Sequence, residues 1–357
     1  SNRNGGNNFA YLYQITTVKY IVLGHTGARL WQFRIGYGKF QRNMDQVPTQ
    51  SIANEGADLP RPAILAPAGS KPSFLAALAA GAEAVYCGLK QFTARMEAKN
   101  FTIEELRALV ELAHAKGTRV YVTLNTLVTP GELDAAGRML DQLNRHVHPD
   151  AVIVQDLALA QLVRQTGFAG EVHWSTLSNM GYPAALRLVQ EKLPIDSLVL
   201  PRELTVDEIK AAAAACPPGL NLEVFIHGAL CYSFSGICLA SWALTGRSGN
   251  RGDCAQICRG RFSLAEGSDA DRQAPSGGML FSCRDLLLGR DVLELAGLGV
   301  DAFKIEGRMK SPEYAAATVR LYRSLIDEGD ALDPARYDRL VRDAQATFAR
   351  EPTTGWL

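Results

Sequence analysis

AILAPAGSKPSFLAALAAGAEAVYCG, residues 63–88, opens the part of the chain whose rhythm decides the fold. It holds two short apolar runs, AILAP (63–67) and AVYCG (84–88), starting 21 residues apart. Six more follow: VYVTLN (120–125), AVIVQ (151–155), VHWST (172–176), SLVLP (197–201), LEVFIH (222–227) and AFKIE (302–306). They are too continuously apolar for half-exposed antiparallel strands and suit a parallel sheet covered by helices. Helical patterns lie between them. TIEELRALVELAHAKG begins with a threonine cap, Thr102, has Glu105 three residues on, and ends at Gly117. GELDAAGRMLDQLNRH and TVDEIKAAAAAC read the same way. Eight strands alternating with helices give the expected fold, an α/β (β/α)8 TIM-type barrel over residues 60–330. An open doubly wound sheet is the alternative. No run leads into a G-x-G-x-x-G turn, so dinucleotide binding has no support.

Strand starts are 21 to 36 residues apart until the last pair, where the gap widens to about 80. The extra chain is read as a cysteine-rich insertion after strand seven, residues 228–285. It leaves the C-terminal end of a strand, the side on which barrel enzymes build their active sites. Five of the seven cysteines, at 231, 238, 254, 258 and 283, fall within 53 residues. In an enzyme-like chain without a secretory signal, clustered cysteines bind metal more often than they pair. Cys231, Cys238, Cys254 and Cys258 form C-x6-C-x15-C-x3-C. Four soft thiolates suit zinc or an iron–sulfur cluster, and spacing alone does not choose. Neither pair is as tight as the C-x2-C of zinc ribbons, and the wide gaps suit a cluster held by loops. Cys283 is a candidate fifth or substitute ligand. Cys87, mid-strand, and Cys216, at a helix end, read as packing residues. A nucleophilic Cys231 with His227 as its base is the competing reading. No G-x-S-x-G or H-E-x-x-H occurs, so serine-hydrolase and zincin chemistry lack their motifs.

Composition is that of an ordinary globular chain, 47% hydrophobic and 21% charged with 32 glycines in 357 residues. The balance of 37 basic and 37 acidic residues gives no overall pull towards nucleic acid. Residues 1–43 hold Arg3, Lys19, Arg29, Arg34, Lys39 and Arg42 and no acid, which leaves the rest at 31 basic against 37 acidic, a net −6. This segment is expected to be a leader, a tag or a disordered extension, with a basic targeting peptide as another reading. YIVLG is too short to span a membrane, and a cytoplasmic location is expected. Residues 331–357 read as a final helix and a tail.

With the cysteine loop and the barrel in place, a resemblance becomes specific. LEVFIHGALCYSFSGICLAS resembles the signature of the collagenase-like U32 peptidase family, through Glu223, Phe225, Gly228, Ala229, Leu230, Cys231, Gly236, Cys238 and Ser241. Ala240 stands where that signature has a larger aliphatic residue. LAPAG, GAEAVYCGL, VTLNT, VIVQD, LPREL, TGRSGNRGDCAQICR and FKIEGRMKSPEY agree as well, so the resemblance runs over roughly 62–330. The wording is most similar to the family's RNA hydroxylase branch. That branch implies hydroxylation of carbon 5 of a pyrimidine, a cytidine of large-subunit ribosomal RNA or a tRNA wobble uridine, with prephenate as hydroxyl donor. It also implies a 4Fe–4S cluster whose ligands, carried over by motif, are Cys231, Cys238, Cys254 and Cys258; zinc is the alternative metal. A peptidase and a subunit of an oxygen-independent ubiquinone hydroxylase are the other activities found under this family name. TTGWL resembles a junction before an accessory C-terminal domain of longer members.

Strand ends supply the remaining candidates. Prephenate's two carboxylates call for arginines, and Arg95, Arg202 and Arg308 follow strands two, six and eight, as candidate substrate-binding residues. Lys304 and Glu306 alternate along strand eight, so both face the interior while Ile305 faces the helices; they are candidates for catalysis or for a buried pair. His227, ending strand seven, is a candidate proton donor. Asn125, Gln155 and Ser175, ending strands three, four and five, are candidates to read a base edge or to cap the barrel. Arg247, Arg251, Arg259 and Arg261 against Asp253 make the cysteine loop basic, a candidate phosphate contact for RNA.

Overall fold

The computed structural model describes residues 61–262, 278–347 and 350–355, and the backbone of a separate antiparallel hairpin that pairs Lys19–Gly24 with Gly27–Gln32. The expectation of a leader at 1–43 lies, apart from that hairpin, outside the described residues. So do residues 263–277 of the insertion.

Eight parallel strands form the barrel: β1 (Ala63–Ala68), β2 (Ala84–Gly88), β3 (Arg119–Leu124), β4 (Ala151–Val154), β5 (Glu171–Trp174), β6 (Ser197–Val199), β7 (Asn221–Ala229) and β8 (Ala302–Ile305). Each pairs with the next. β8 pairs with β7 on one side and with β1 on the other, which closes the sheet. The expected (β/α)8 barrel is therefore the observed fold, and the doubly wound alternative is excluded. Boundaries shift slightly. β3, β4, β5 and β8 stop one or two residues before the ends of their apolar runs, so Asn125, Gln155, Ser175 and Glu306 stand just beyond strand ends.

Helices α1 (Lys71–Ala79), α2 (Ile103–His114), α3 (Leu133–Gln142), α4 (Leu157–Gln165), α5 (Pro183–Lys192) and α6 (Val206–Ala215) connect the first seven strands. Their starts follow from local chemistry. Thr102 and Thr205 each accept from the backbone N–H three residues on, while Glu105 and Glu208 return the bond, a capping box at each site. Between β7 and β8 lie α7 (Ala240–Thr245), a short strand at Asp285–Leu287 that runs antiparallel to β7, and α8 (Val292–Ala296). Then come α9 (Pro312–Glu328) and α10 (Pro334–Ala346), and a two-residue strand, Pro352–Thr353, that pairs with Asp285–Leu287.

Alternation along each strand divides residues between two compartments. Ile64, Val85, Val122, Val152, Leu198, Val224 and Phe303 belong to the outer core under the helices, whereas Leu65, Ala84, Tyr86, Tyr121, Ala151 and Ile153 form a separate cluster in the lumen. Full burial of each such apolar side chain stabilises by about 2 kcal/mol, so the outer shell carries the fold.

Gly228 marks where β7 leaves the barrel. Its φ is +106°, and a Cβ there would sit 2.3 Å from the Glu306 carbonyl oxygen. Gly228→Ala is expected to cost at least about 2 kcal/mol in stability, seen as a lower thermal midpoint by circular dichroism. Gly117→Ala shares the positive φ of +72° but meets nothing within 4 Å, and is expected to lose only about 1 kcal/mol.

Candidate active site

The lower lumen is ionic. Lys304 Nζ donates to Glu223 Oε2 at 2.8 Å, and His173 Nδ1 lies 2.6 Å from Glu223 Oε1. Ser197 Oγ donates to the same carboxylate at 3.2 Å, and His173 Nε2 sits 2.9 Å from Glu171 Oε2. Burial would raise the Glu223 pKa, but Lys304 and then His173 hold it far below the carboxylate range. For His173, burial works to lower the pKa, and Glu223 with Glu171 raises it overall. Burial lowers Lys304 despite its partner. The ammonium also lies 4.8 Å from the Tyr86 ring centroid.

Above this layer, towards the C-terminal ends of the strands, one pocket gathers Tyr86, Thr123, Phe225 and Lys304 from the strands with Arg95, Arg202, Glu306 and Arg308 from the loops. Asn125 and Ser175 line it too. The open space is about 30 Å³, room for a water but not for a nucleobase.

Arg308 is buried. Its Nη1 donates to Thr93 Oγ1 and, at 2.7 Å, to Thr123 Oγ1. Gly88 makes the space: a Cβ there would lie 2.5 Å from Thr93 Oγ1 and 2.9 Å from Arg308 Nη1. Arg202 donates from Nη1 to the Ala229 carbonyl at 2.9 Å and stacks 4.9 Å over Phe225. The Nε groups of Arg202 and Arg308 are buried with no hydrogen-bond partner among the described residues. Arg95 donates from Nε and Nη2 to Glu306 Oε1, at 3.2 and 2.8 Å. Burial would raise the Glu306 pKa, but Arg95, Arg202 and Arg308 together hold it at about 2.

Seven of the residues expected at the strand ends thus meet around one pocket: Arg95, Asn125, Ser175, Arg202, Lys304, Glu306 and Arg308. Two do not. Gln155 is buried just beyond β4 and off the pocket lining, with Oε1 lacking a partner among the described residues. His227, expected at the mouth as a proton donor, lies off the pocket lining. It packs against α9 with Nδ1 3.0 Å from the Tyr322 hydroxyl and its ring 5.7 Å from that of Tyr314. Burial, helped by Lys310, pushes its pKa down to about 3, so the imidazole is neutral. A shift in the β7–β8 register between Lys304 and Ile305 accompanies this turn away from the lumen. Asn125 and Ser175 also spend their side chains locally: Asn125 Oδ1 accepts from Ala94 N, and Ser175 Oγ from Leu177 N.

The cysteine loop lies across the mouth. Asn250 O accepts from Leu127 N at 2.9 Å beyond β3, Gly252 packs on the Thr93 carbonyl, and Gly236 packs on the Leu177 carbonyl beyond β5. Ser235 is held by Glu203 beyond β6 through its N–H and hydroxyl, both at 2.9 Å. Burial raises the Cys258 thiol against the pull of Arg259, and Cys231, Cys254 and Cys283 raise it further, so these sulfurs lie in mutual electrostatic reach. Cys254 also adds a small part to the raised pKa of Arg95, which Glu306 dominates. As arranged, however, no three His, Cys, Asp or Glu side chains among the described residues close into a metal-holding group. The quartet of Cys231, Cys238, Cys254 and Cys258 is not gathered. The loop's basic character is also smaller than its sequence suggests. Arg247 pairs with Glu97 and Asp253, and Arg251 with Glu132. Arg259 is an internal strut to the Leu230 and Cys283 carbonyls and Ser282.

Residues 69–357 match peptidase family U32. The chain belongs to this family. Among curated U32 relatives, an uncharacterised protease of Methanocaldococcus jannaschii is 36% identical over 301 residues, 82% of this chain and 72% of that one. The tRNA hydroxylation protein P1 of Bacillus subtilis is 35% identical over 271 residues, 75% of this chain and 63% of that one. The 23S rRNA 5-hydroxycytidine C2501 synthase of Escherichia coli is 36% identical over 264 residues, 74% of this chain and 39% of that one. The aligned part therefore spans under two thirds of the two RNA-modification relatives.

Sequence reasoning passed over Tyr86, Thr93, Thr123 and His173 as site residues, and gave Glu223 only a place in a motif. Strand parity was the available signal for four of them, since Tyr86, Thr123 and Glu223 share the inward phase of Ala84, Tyr121 and Phe225, and His173 that of Ser175. Thr93, in a loop, gives no such signal.

The Arg95–Glu306 pair gives a pH test. The folded pKa of Glu306 lies below its ordinary value, so its stabilisation is present above about pH 4.5 and lost as pH falls through about 2. Arg95→Met is expected to destabilise by about 2 kcal/mol near neutrality, by removing the guanidinium that hydrogen-bonds the Glu306 carboxylate while Arg202 and Arg308 still attract it. The deficit is expected to shrink towards acid as Glu306 takes up a proton. Urea unfolding across that range measures it.

Proposed function

We propose that this chain hydroxylates carbon 5 of a pyrimidine in RNA, with a cytidine of large-subunit ribosomal RNA as the favoured target and a tRNA wobble uridine as the second. The observation that carries this reading is the arginine-rich mouth of the lumen, taken with the RNA-hydroxylation names of relatives that share 74–75% of the chain at 35–36% identity. Replacing C–H by C–OH with a hydroxide-level oxygen removes two electrons and a proton from the ring, so an oxygen donor must meet the base out of bulk water and both electrons must pass on, one at a time, to an external two-electron acceptor. The residues here suit the first task. Prephenate, the donor we propose, carries two carboxylates, and Arg202 and Arg308 each keep a buried Nε–H uncommitted. Glu306 stays ionised, which limits the mouth's excess charge, and its carboxylate orients Arg95. The base must leave its stack to reach them.

We assign the electron-carrying role to an iron–sulfur cluster on the cysteine loop, which supplies one-electron transfer when bound. The thiols do not form a closed set as they stand, so loading has to draw them together, as metal binding commonly orders its own ligands. Peptidase chemistry on Cys231 is disfavoured, because the imidazole proposed as its base is buried against α9 beside Tyr322.

Two measurements test this reading. Nucleoside mass spectrometry of RNA from a deletion strain is expected to lose a hydroxylated pyrimidine, restored by the wild-type gene and not by Arg308→Met. Unchanged nucleosides in the deletion strain would refute it. Anaerobic reconstitution is expected to load iron and sulfide on the wild type, and far less after serine replaces Cys254 and Cys258.

A further inference from the structure

The cysteine loop exposes an apolar surface that the barrel does not need. Tyr232, Phe234, Ile237, Leu239, Trp242 and Leu244, six of thirteen consecutive residues, are each more than half exposed. A loop that displays this much apolar surface at a pocket mouth marks a contact with something else. Three of the six are aromatic. Tyr232 is braced edge-on by Phe281 at 5.0 Å, and Phe281 in turn by Phe262 at 4.8 Å, so its ring is held rather than free to collapse.

We infer that Tyr232, Phe234 and Trp242 form a stacking platform for unpaired RNA bases that flank the nucleotide entering the lumen. This deepens the RNA hydroxylase reading and rests on it. The location is the first reason. Ser235 and Gly236, between these aromatics, are pinned to Glu203 and to the Leu177 carbonyl at the rim of the pocket. A strand lying over the platform therefore passes the opening. Charge is the second. With Lys304 paired to Glu223, the pocket lining still holds Arg95, Arg202 and Arg308 against Glu306, an excess of positive charge that favours a polyanion. The third is what the loop lacks. Arg247 and Arg251 are already paired with carboxylates, so this surface offers π faces more than phosphate contacts. Single-strand recognition of this kind draws on base–aromatic stacking and tolerates different sequences.

The test uses the full chain and a fluorescent, pyrimidine-rich, single-stranded RNA of about 12 nucleotides, followed by anisotropy. Phe234→Leu and Trp242→Leu, which keep apolar area but remove the π face, are each expected to weaken binding about tenfold. Phe234→Tyr is expected to bind like the wild type, and so is Leu188→Ala, which alters an exposed leucine of α5. Thermal melting confirms that each variant is folded. Equal affinity of the wild type and the leucine variants overturns the platform while the nucleoside assay still decides the hydroxylase reading on its own. A wild type that binds no RNA overturns it. So does a wild-type dimer that Trp242→Leu converts to monomer without changing RNA affinity, since the surface would then belong to a second copy of the chain.

Discussion

A guanidinium buried at the closing seam of the barrel constrains everything near it. Arg308 follows β8, the strand that must hydrogen-bond to β1 and β7 at once. A lone charge buried there would carry a desolvation penalty of several kcal/mol. Neutral partners offset part of it, through the hydroxyls of Thr93 and Thr123 and the Tyr86 ring. Glu306, two residues earlier, adds an opposite charge that the neighbouring Arg95 counteracts. Burial still lowers the Arg308 pKa, yet not enough to discharge it. Gly88 has to be glycine for the geometry to exist, and the loop that carries Thr93 has to fold back over β2. One charged side chain thus fixes a strand end, a loop and a glycine.

The two layers of the lumen divide the electrostatic work. Lys304, Glu223, His173 and Glu171 form a chain of opposite charges in the lower layer, where each group has a partner. Such a network gives little net stability, because pairing roughly offsets desolvation, but it punishes the loss of any member. The upper layer is unbalanced. Three guanidinium groups share one carboxylate, and two buried Nε–H groups remain uncommitted. A site left short of acceptors is one built to receive them, and it lies where barrel folds place their chemistry.

The sequence made the barrel legible because strands buried on both faces read as apolar runs at regular spacing. Ends of strands were nearly as legible, which is why Arg95, Arg202, Lys304, Glu306 and Arg308 converge as the strand assignments implied. His227 misled because a register shift against β8 turns it towards α9, and a shift of that kind depends on the partner strand rather than on local sequence. The arginines of the cysteine loop misled for a similar reason. Their acidic partners Glu97 and Glu132 are more than a hundred residues away in the chain.

The proposed reaction would bring carbon 5 of a pyrimidine into this lumen, beside the rings of Tyr86 and Phe225. RNA carrying an iodine at that carbon reports its aromatic neighbours, because light couples the ring mainly to electron-rich side chains that it touches. Photo-crosslinking to the full chain, followed by peptide mass spectrometry, is predicted to label Tyr86 or Phe225. Labels confined to the outer helices, with none in the lumen, would contradict the account.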